Sequence, residues 1–100
     1  MRVVITGASS GIGAALARCY AARGATLGLM ARREQALQEL AGALPAPSFT
    51  YPLDVTDAEA LRQAARDFVD RASVPDLVIA NAGISVGTLT QEASDLPVFE

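Results

Sequence analysis

The chain contains no lysine and no histidine among its 100 residues, so all eight positive side chains are arginine. The missing lysine excludes amine chemistry within this chain. The missing histidine excludes imidazole acid–base catalysis and the commonest ligand of transition metals. We therefore expect no metal site here.

Cysteine, long apolar runs and basic clusters are also scarce. The single Cys19 cannot form an internal disulfide, which favours a reducing, cytoplasmic location. The short apolar run after Met1 is too brief for a signal peptide or a membrane span, so we expect no membrane association. The net charge is −3 and the longest basic cluster is Arg32–Arg33, which argues against nucleic-acid binding.

Short apolar runs alternate with stretches of helical periodicity, and 51% hydrophobic residues suffice for one domain. Strands are predicted at Arg2–Thr6, Ala25–Ala31, Ser48–Leu53 and Asp76–Ala80. This βαβαβαβ alternation predicts an α/β fold: a doubly wound, Rossmann-type parallel sheet, here truncated, with strand order 3-2-1-4. Pro52 argues for an edge position of the third strand, because proline has no N–H group to donate to a neighbouring strand.

Three helices are predicted between these strands. The first ends at Arg23, before Gly24, and carries Ile12, Leu16, Cys19 and Tyr20 at helical spacing, so Cys19 is expected to be a small core residue. The second helix is predicted over Arg32–Ala43. Thr56 is predicted to be the N-cap of the third, with Glu59 completing a capping box.

The segment Thr6–Gly13 (TGASSGIG) follows a strand and opens a helix. Gly7 would permit the tight turn, Gly11 would let a pyrophosphate approach the backbone, and Gly13 would allow close packing on the sheet. Phosphates would then face the amides of the first helical turn, at Gly11, Ile12 and Gly13, with hydroxyl donors from Ser9 and Ser10. The alternative is a glycine-rich turn without a ligand. A phosphate loop of the nucleotide-hydrolase kind is a poor fit, because it requires a lysine.

The same segment closely resembles the glycine motif of the short-chain dehydrogenase/reductase family. Leu53-Asp54-Val55 is similar to that family's adenine-contacting segment, and Asn81-Ala82-Gly83 to its N-A-G segment, although Ala80 stands where members usually have asparagine. The resemblance implies that Asp54 contacts adenine, that Val55 packs on the ring, and that Asn81, Ala82 and Gly83 line the nicotinamide-ribose side. Without the resemblance, Asp54 would be interpreted as a residue that orders a turn at the strand end.

The end of the second strand distinguishes NADP from NAD. Enzymes that bind NAD usually carry a carboxylate at this point, whereas this chain has Ala31 followed by Arg32 and Arg33. A guanidinium can bind a 2′-phosphate through paired hydrogen bonds and can stack on adenine. NADP is therefore preferred over NAD as the cofactor, with Arg32 as the main phosphate ligand. The alternative is that both arginines are an ordinary solvated helix start.

The resemblance also implies what this chain lacks. The family interconverts carbonyls and alcohols with a Tyr-x-x-x-Lys pair, which a chain without lysine cannot contain. We therefore expect residues 1–100 to form part of an NADP-binding domain, itself inactive, of a homo-oligomeric oxidoreductase whose catalytic and substrate-binding residues lie beyond Glu100. The alternatives are a non-catalytic dinucleotide-binding module and an interaction domain that binds no cofactor.

Overall fold

The computed structural model describes residues 1–81, and within them the elements follow the predicted βαβαβαβ order. The strands are β1 (Arg2–Thr6), β2 (Thr26–Ala31), β3 (Ser48–Pro52) and β4 (Leu77–Ala80). The helices are α1 (Gly11–Ala22), α2 (Glu34–Ala43) and α3 (Ala58–Ala72).

The sheet is parallel, with the order β3-β2-β1-β4, which confirms the predicted topology. Thr6 pairs with Met30 on one side and with Ala80 on the other, while Ala31 pairs with Pro52. Within residues 1–81, β3 is an edge strand, as the proline predicted. Because the strands are parallel and in this register, their carboxyl ends lie along one edge of the sheet.

Alternate residues of the strands pack into two hydrophobic layers, one on each face of the sheet. One layer contains Leu27 and Leu29 with the buried faces of α1 and α2. The other contains Val4 and Met30 with the α3 residues Ala64 and Phe68. A Cβ added to Gly28 in β2 would lie 2.7 Å from a ring carbon of Phe68. The glycine therefore provides the space in which this fully buried ring packs on the sheet.

The buried face of α1 differs from the predicted one. Its buried residues are small and four apart, Gly13, Ala17 and Ala21, whereas Cys19 is exposed. The prediction that Cys19 is a core residue is wrong. The physical reason is the close approach at the start of α1, where a Cβ on Gly13 would overlap the carbonyl of Gly7, so that the row of small residues is the buried one; Leu16 and Tyr20 are only partly buried against the core, and Ile12 is exposed.

The N-terminus of α3 also differs from the prediction. Asp57, not Thr56, is the N-cap, and its side chain accepts a hydrogen bond of 3.1 Å from the amide of Ala60. The predicted capping box is absent at this helix start, because Glu59 instead pairs with Arg62 at 2.9 Å. The Thr56 hydroxyl is engaged in the turn that precedes the helix.

Candidate functional site

The glycine loop between β1 and α1 is fastened to the carboxyl end of the sheet. Gly7 has a φ of 67°, in the left-handed region that glycine adopts without a steric penalty. The amide of the buried Ala8 donates to the carbonyl of Met30 at 3.1 Å. Both the amide and the hydroxyl of Ser10 donate to Gly7 O, at 3.2 and 2.9 Å. These bonds hold the loop in a fixed turn at the end of β2.

The start of α1 has the properties of an anion site. The amide of Ala14 donates to Ser10 O at 2.7 Å, so the amides of Gly11, Ile12 and Gly13 precede this helical bond. The Ser10 hydroxyl donates to the loop instead of capping those amides. A Cβ built on Gly11 would meet nothing within 4 Å, so a ligand can approach here. The helix dipole adds positive potential at this end.

A cleft of about 390 Å³ lies between the glycine loop and the ends of β2 and β3. The side chains that line it are cationic, hydroxylated or apolar, and no carboxylate is among the lining residues that the structure describes: Gly7, Ser9, Ser10, Ala31, Arg32, Arg33, Leu53 and Val55. The cleft therefore brings six predicted cofactor-binding residues together. Its chemistry suits an anion at one side and a flat apolar group at the other.

Arg32 and Arg33 lie in the connection between β2 and α2, not inside the helix as predicted. The helix begins at Glu34, with Arg33 as its N-cap residue in an extended conformation. Both arginine side chains are exposed and border the cleft. The shorter helix matters because it leaves both guanidinium groups on a connection that faces the glycine loop.

Asp54 follows β3 and is flanked by two residues of the cleft wall, Leu53 and Val55. Its Oδ1 atom accepts hydrogen bonds from the Thr56 amide, at 2.9 Å, and from the Thr56 hydroxyl, at 2.8 Å. These bonds, and the nearby positive charge of Arg32, hold the pKa of Asp54 below its usual value. The carboxylate is therefore ionised at neutral pH. Asp54 also orders a turn at the strand end, as expected from the sequence without the family resemblance.

Asn81 connects β4 to the glycine loop. Its backbone amide donates to Thr6 Oγ1 at 2.9 Å, and its side-chain nitrogen donates to Ser10 Oγ at 3.4 Å. Thr6 is a polar residue buried in the part of the core that the structure describes. The predicted site residues Ala82 and Gly83 lie outside the described residues.

Ala31 and Thr56 were not predicted as contributors to the site, and Leu53 was predicted only as part of the segment that resembles the adenine-contacting one. Ala31 and Leu53 form part of the cleft wall, joined by a hydrogen bond of 2.9 Å from Leu53 N to Ala31 O. The predicted pairing of β2 with β3 could have indicated this contact. The hydrogen bond from Leu53 continues the ladder by one residue beyond Pro52, the last paired residue of β3. Thr56 was assigned to a helix cap, although the spacing Asp54-Val55-Thr56 is also typical of a turn closed by an aspartate side chain.

Tyr51 does not line the cleft and is bonded elsewhere. The Tyr51 hydroxyl donates to Asp67 at 2.7 Å, and burial, followed by this hydrogen bond, raises the pKa of Tyr51 well above its usual value.

Within residues 1–81, no group of three or more His, Cys, Asp or Glu residues is placed to hold a metal ion, and no helix could cross a bilayer.

Comparison with known proteins gives this geometry a family context. The family described as short chain dehydrogenase matches residues 1–99. The 11-beta-hydroxysteroid dehydrogenase A of Sesamum indicum is 44% identical over 98 residues, which are 94% of this chain and 28% of that protein. The "Probable NADP-dependent dehydrogenase in aabA 3'region" of Dichelobacter nodosus is 36% identical over 100 residues, which are all of this chain and 94% of that one.

A solved structure agrees with the fold as well. The L-sorbose reductase of Gluconobacter frateurii, in complex with NADPH and L-sorbose, has a TM-score of 0.76 and 31% sequence identity, over 83% of this chain and 33% of that chain. The chain thus spans about a third or less of the sesame protein and of this reductase.

Proposed function

We propose, from the premise that this chain belongs to the short-chain dehydrogenase family, that residues 1–100 are the NADP-binding part of an oxidoreductase. The intact enzyme would interconvert a small carbonyl compound and an alcohol. The observation that carries this proposal is the cleft in which the glycine loop and two arginines meet. We further propose that the enzyme is cytoplasmic, because Cys19, the single cysteine of this chain, cannot form an internal disulfide. We also propose that it is homo-oligomeric, for which the support is the family alone.

The donors around the cleft fit a dinucleotide with a 2′-phosphate. The α1 amides and the open space at Gly11 suit the pyrophosphate, with Ser9 and Ser10 beside it. Arg32 and Arg33 suit the 2′-phosphate, because a guanidinium binds phosphate through charge-assisted hydrogen bonds. An NAD-specific site usually has a carboxylate at the end of the second strand, where this chain has the buried Ala31. The NADPH complex of L-sorbose reductase supports the same choice.

The remaining contacts follow from the ends of β3 and β4. Val55 would pack against the adenine face, and Asp54 would accept a hydrogen bond from its amino group. Asn81, with Ala82 and Gly83, would line the nicotinamide-ribose side. Bound NADPH or NADP⁺ would donate or accept the hydride. The residues of this chain bind and orient the cofactor, and the proton donor would lie outside it, because the chain has no Tyr-x-x-x-Lys pair.

A binding experiment with one variant and one control tests the proposal. Titration calorimetry of the full chain would measure the affinities for NADP⁺ and NAD⁺. Arg32→Ala should weaken NADP⁺ binding about 10- to 100-fold, the scale of losing charged hydrogen bonds, and should leave NAD⁺ binding nearly unchanged. The control is Arg62→Ala, since Arg62 pairs with Glu59 on the exposed side of α3, where an ion pair contributes little.

Three results would contradict the proposal. If the wild type binds NAD⁺ and NADP⁺ with equal affinity, or if Arg32→Ala weakens the binding of both equally, the arginines do not recognise the 2′-phosphate. A chain that binds neither nucleotide would favour an interaction domain that has kept the fold without the ligand.

A further inference from the structure

A second cleft, of about 480 Å³, lies at the amino ends of the strands, at the opposite edge of the sheet from the glycine loop. The walls of this amino-end cleft include Arg2 and Thr26, the first residues of β1 and β2, and Phe49 of β3. Arg71 and Ala72, at the C-terminus of α3, also line it. The cleft has the size of a small-molecule site, and it shares no lining residue with the cleft at the glycine loop.

Two guanidinium groups line the amino-end cleft, and both have donors to spare. Arg2 Nε donates to Ala72 O at 2.6 Å, and Arg2 Nη1 donates to Asp76 Oδ2 at 3.3 Å. Arg71 Nε donates to the Asp67 carboxylate at 3.1 Å. Because Ala72 follows Arg71 in α3, the bond to Ala72 O brings Arg2 to the same helix end. Within residues 1–81, Nη2 of Arg2 and both terminal nitrogens of Arg71 have no partner, so they can donate to a ligand.

An aromatic ring forms the apolar part of the same cleft. Phe49 meets the buried Phe68 edge to face, with ring centroids 6.2 Å apart and an interplanar angle of 79°. The guanidinium carbon of Arg71 lies 5.7 Å from the centroid of the Phe49 ring. The ring is thereby held beside a cation. This arrangement suits an aromatic anion, because its ring can pack on Phe49 while its charge reaches Arg71.

The charges around the cleft favour a ligand with one negative charge. Arg2 and Arg71 are already paired with Asp76 and Asp67, neither of which lines the cleft. The two pairs have no net charge, and the C-terminus of α3 adds the negative end of a helix dipole. A phosphate dianion would be repelled by these carboxylates and carbonyl groups, whereas a monocarboxylate requires only the spare N–H groups.

We propose that the amino-end cleft binds a small aromatic monocarboxylate, whose ring packs on Phe49 and whose carboxylate accepts hydrogen bonds from Arg71 and Arg2. A guanidinium and a carboxylate match in geometry as well as in charge. The site would be separate from the proposed dinucleotide site, because the two clefts lie at opposite ends of the sheet. The inference therefore does not depend on the proposed function.

Titration calorimetry of the full chain with 2-naphthoate tests this assignment. The expected dissociation constant is about 1 mM or lower, the range of a small ligand of this kind. The neutral 2-naphthamide has the same rings and should bind at least about tenfold more weakly, because it loses charged hydrogen bonds. Inorganic phosphate, which has no ring, should also bind more weakly. Nuclear magnetic resonance should place the largest amide shifts at Thr26 and Phe49, and not at Gly7.

Two variants and one control identify the residues. Arg71→Gln keeps a polar side chain without the guanidinium and should weaken naphthoate at least about tenfold, with unchanged NADP⁺ affinity. The matched control is Arg66→Gln, because Arg66 is an exposed arginine of the same helix that does not line the cleft. It should bind naphthoate like the wild type. Phe49→Leu removes the ring and should weaken naphthoate about two- to tenfold, with circular dichroism to show that each variant is folded.

Equal losses in Arg71→Gln and Arg66→Gln would show that naphthoate responds only to overall charge, and the inference would be overturned. Displacement of naphthoate by NADP⁺ would place the ligand in the cleft at the glycine loop and would also overturn it, as would phosphate that binds as tightly as naphthoate. A chain that binds naphthoate but no dinucleotide contradicts the proposed function alone. A chain that binds NADP⁺ but no naphthoate contradicts this inference alone.

Discussion

Replacing Gly13 by alanine tests whether the contact between α1 and the glycine loop is as close as the structure indicates. Gly13 is buried in the first turn of α1. A Cβ at this position would overlap the carbonyl oxygen of Gly7 and would lie 2.9 Å from the side-chain nitrogen of Asn81. The Gly7 carbonyl already accepts two hydrogen bonds from Ser10, so it cannot move without disturbing the loop.

Two opposing effects decide the magnitude. Alanine is favoured over glycine inside a helix by about 0.5–1 kcal/mol. Overpacking of a close contact typically costs about 1–3 kcal/mol, and the obstacle here is backbone rather than a flexible side chain. Because the overlap is with backbone, the cost lies near the upper end of this range, and after subtraction of the helix gain we expect Gly13→Ala to lower the free energy of unfolding by about 2 kcal/mol.

The matched control is Gly42→Ala, another glycine inside a helix. A Cβ at Gly42 would meet nothing within 4 Å, so only the helix preference remains and the variant should gain about 0.5–1 kcal/mol. Urea unfolding followed by circular dichroism would compare the two variants with the wild type, and titration with NADP⁺ would report the state of the loop. If Gly13→Ala is as stable as Gly42→Ala, the inferred crowding at the loop is wrong.

Two further predictions concern the other end of the sheet. Ser73, at the C-terminus of α3, has φ 92° and ψ −179°, a conformation that is essentially restricted to glycine, so Ser73→Gly should stabilise the chain by about 1 kcal/mol in urea unfolding. No gain in stability would show that Ser73 is unstrained. Asp76 accepts from the backbone amide of Arg2 at 2.8 Å and pairs with its guanidinium at 3.3 Å; the amide first, then the guanidinium, lowers the pKa of Asp76. Its contribution to stability is therefore complete above its usual pKa of 3.8 and is lost as the pH falls below that value. Urea unfolding between pH 6 and about pH 2 should show that the free energy of unfolding falls less in Asp76→Asn than in the wild type. The control is Asp70→Asn, on the exposed side of α3, which should behave like the wild type. An equal fall in both variants would contradict this assignment.

The element order and the sheet topology were predictable because they follow from patterns that repeat along the chain. Short β-branched runs alternate with helical stretches, and parallel strands linked by helices allow few arrangements. Pro52 alone was sufficient to place β3 at an edge. These predictions depend on local periodicity and general topology, and they do not require the distance between any two elements.

The failures were those that depend on such distances. The apolar stripe of α1 suggested that Cys19 was buried, but the buried residues of this helix are the small ones in line with Gly13, namely Ala17 and Ala21, and Cys19 is exposed. The cap of α3 depended on competition. Thr56 and Asp57 can both cap a helix, and the preceding Asp54 decides between them because it takes the Thr56 hydroxyl. Neither outcome is visible in hydrophobic spacing.

The proposed site would therefore combine two kinds of recognition that the sequence encodes differently. The proposed phosphate site at the start of α1 consists of backbone amides, so it requires only a strand, a helix and a glycine, Gly13, where a side chain would meet the loop. This pattern of strand, glycines and helix can be recognised in the amino-acid sequence. The proposed discrimination among cofactors would instead depend on side chains such as Arg32 and Val55, which follow the parallel strands β2 and β3 and line the same cleft. If the proposal is right, substitutions at those ends should change which dinucleotide is preferred while the loop and its helix stay intact, because the hydrogen bonds that hold the loop involve Met30 and Ser10.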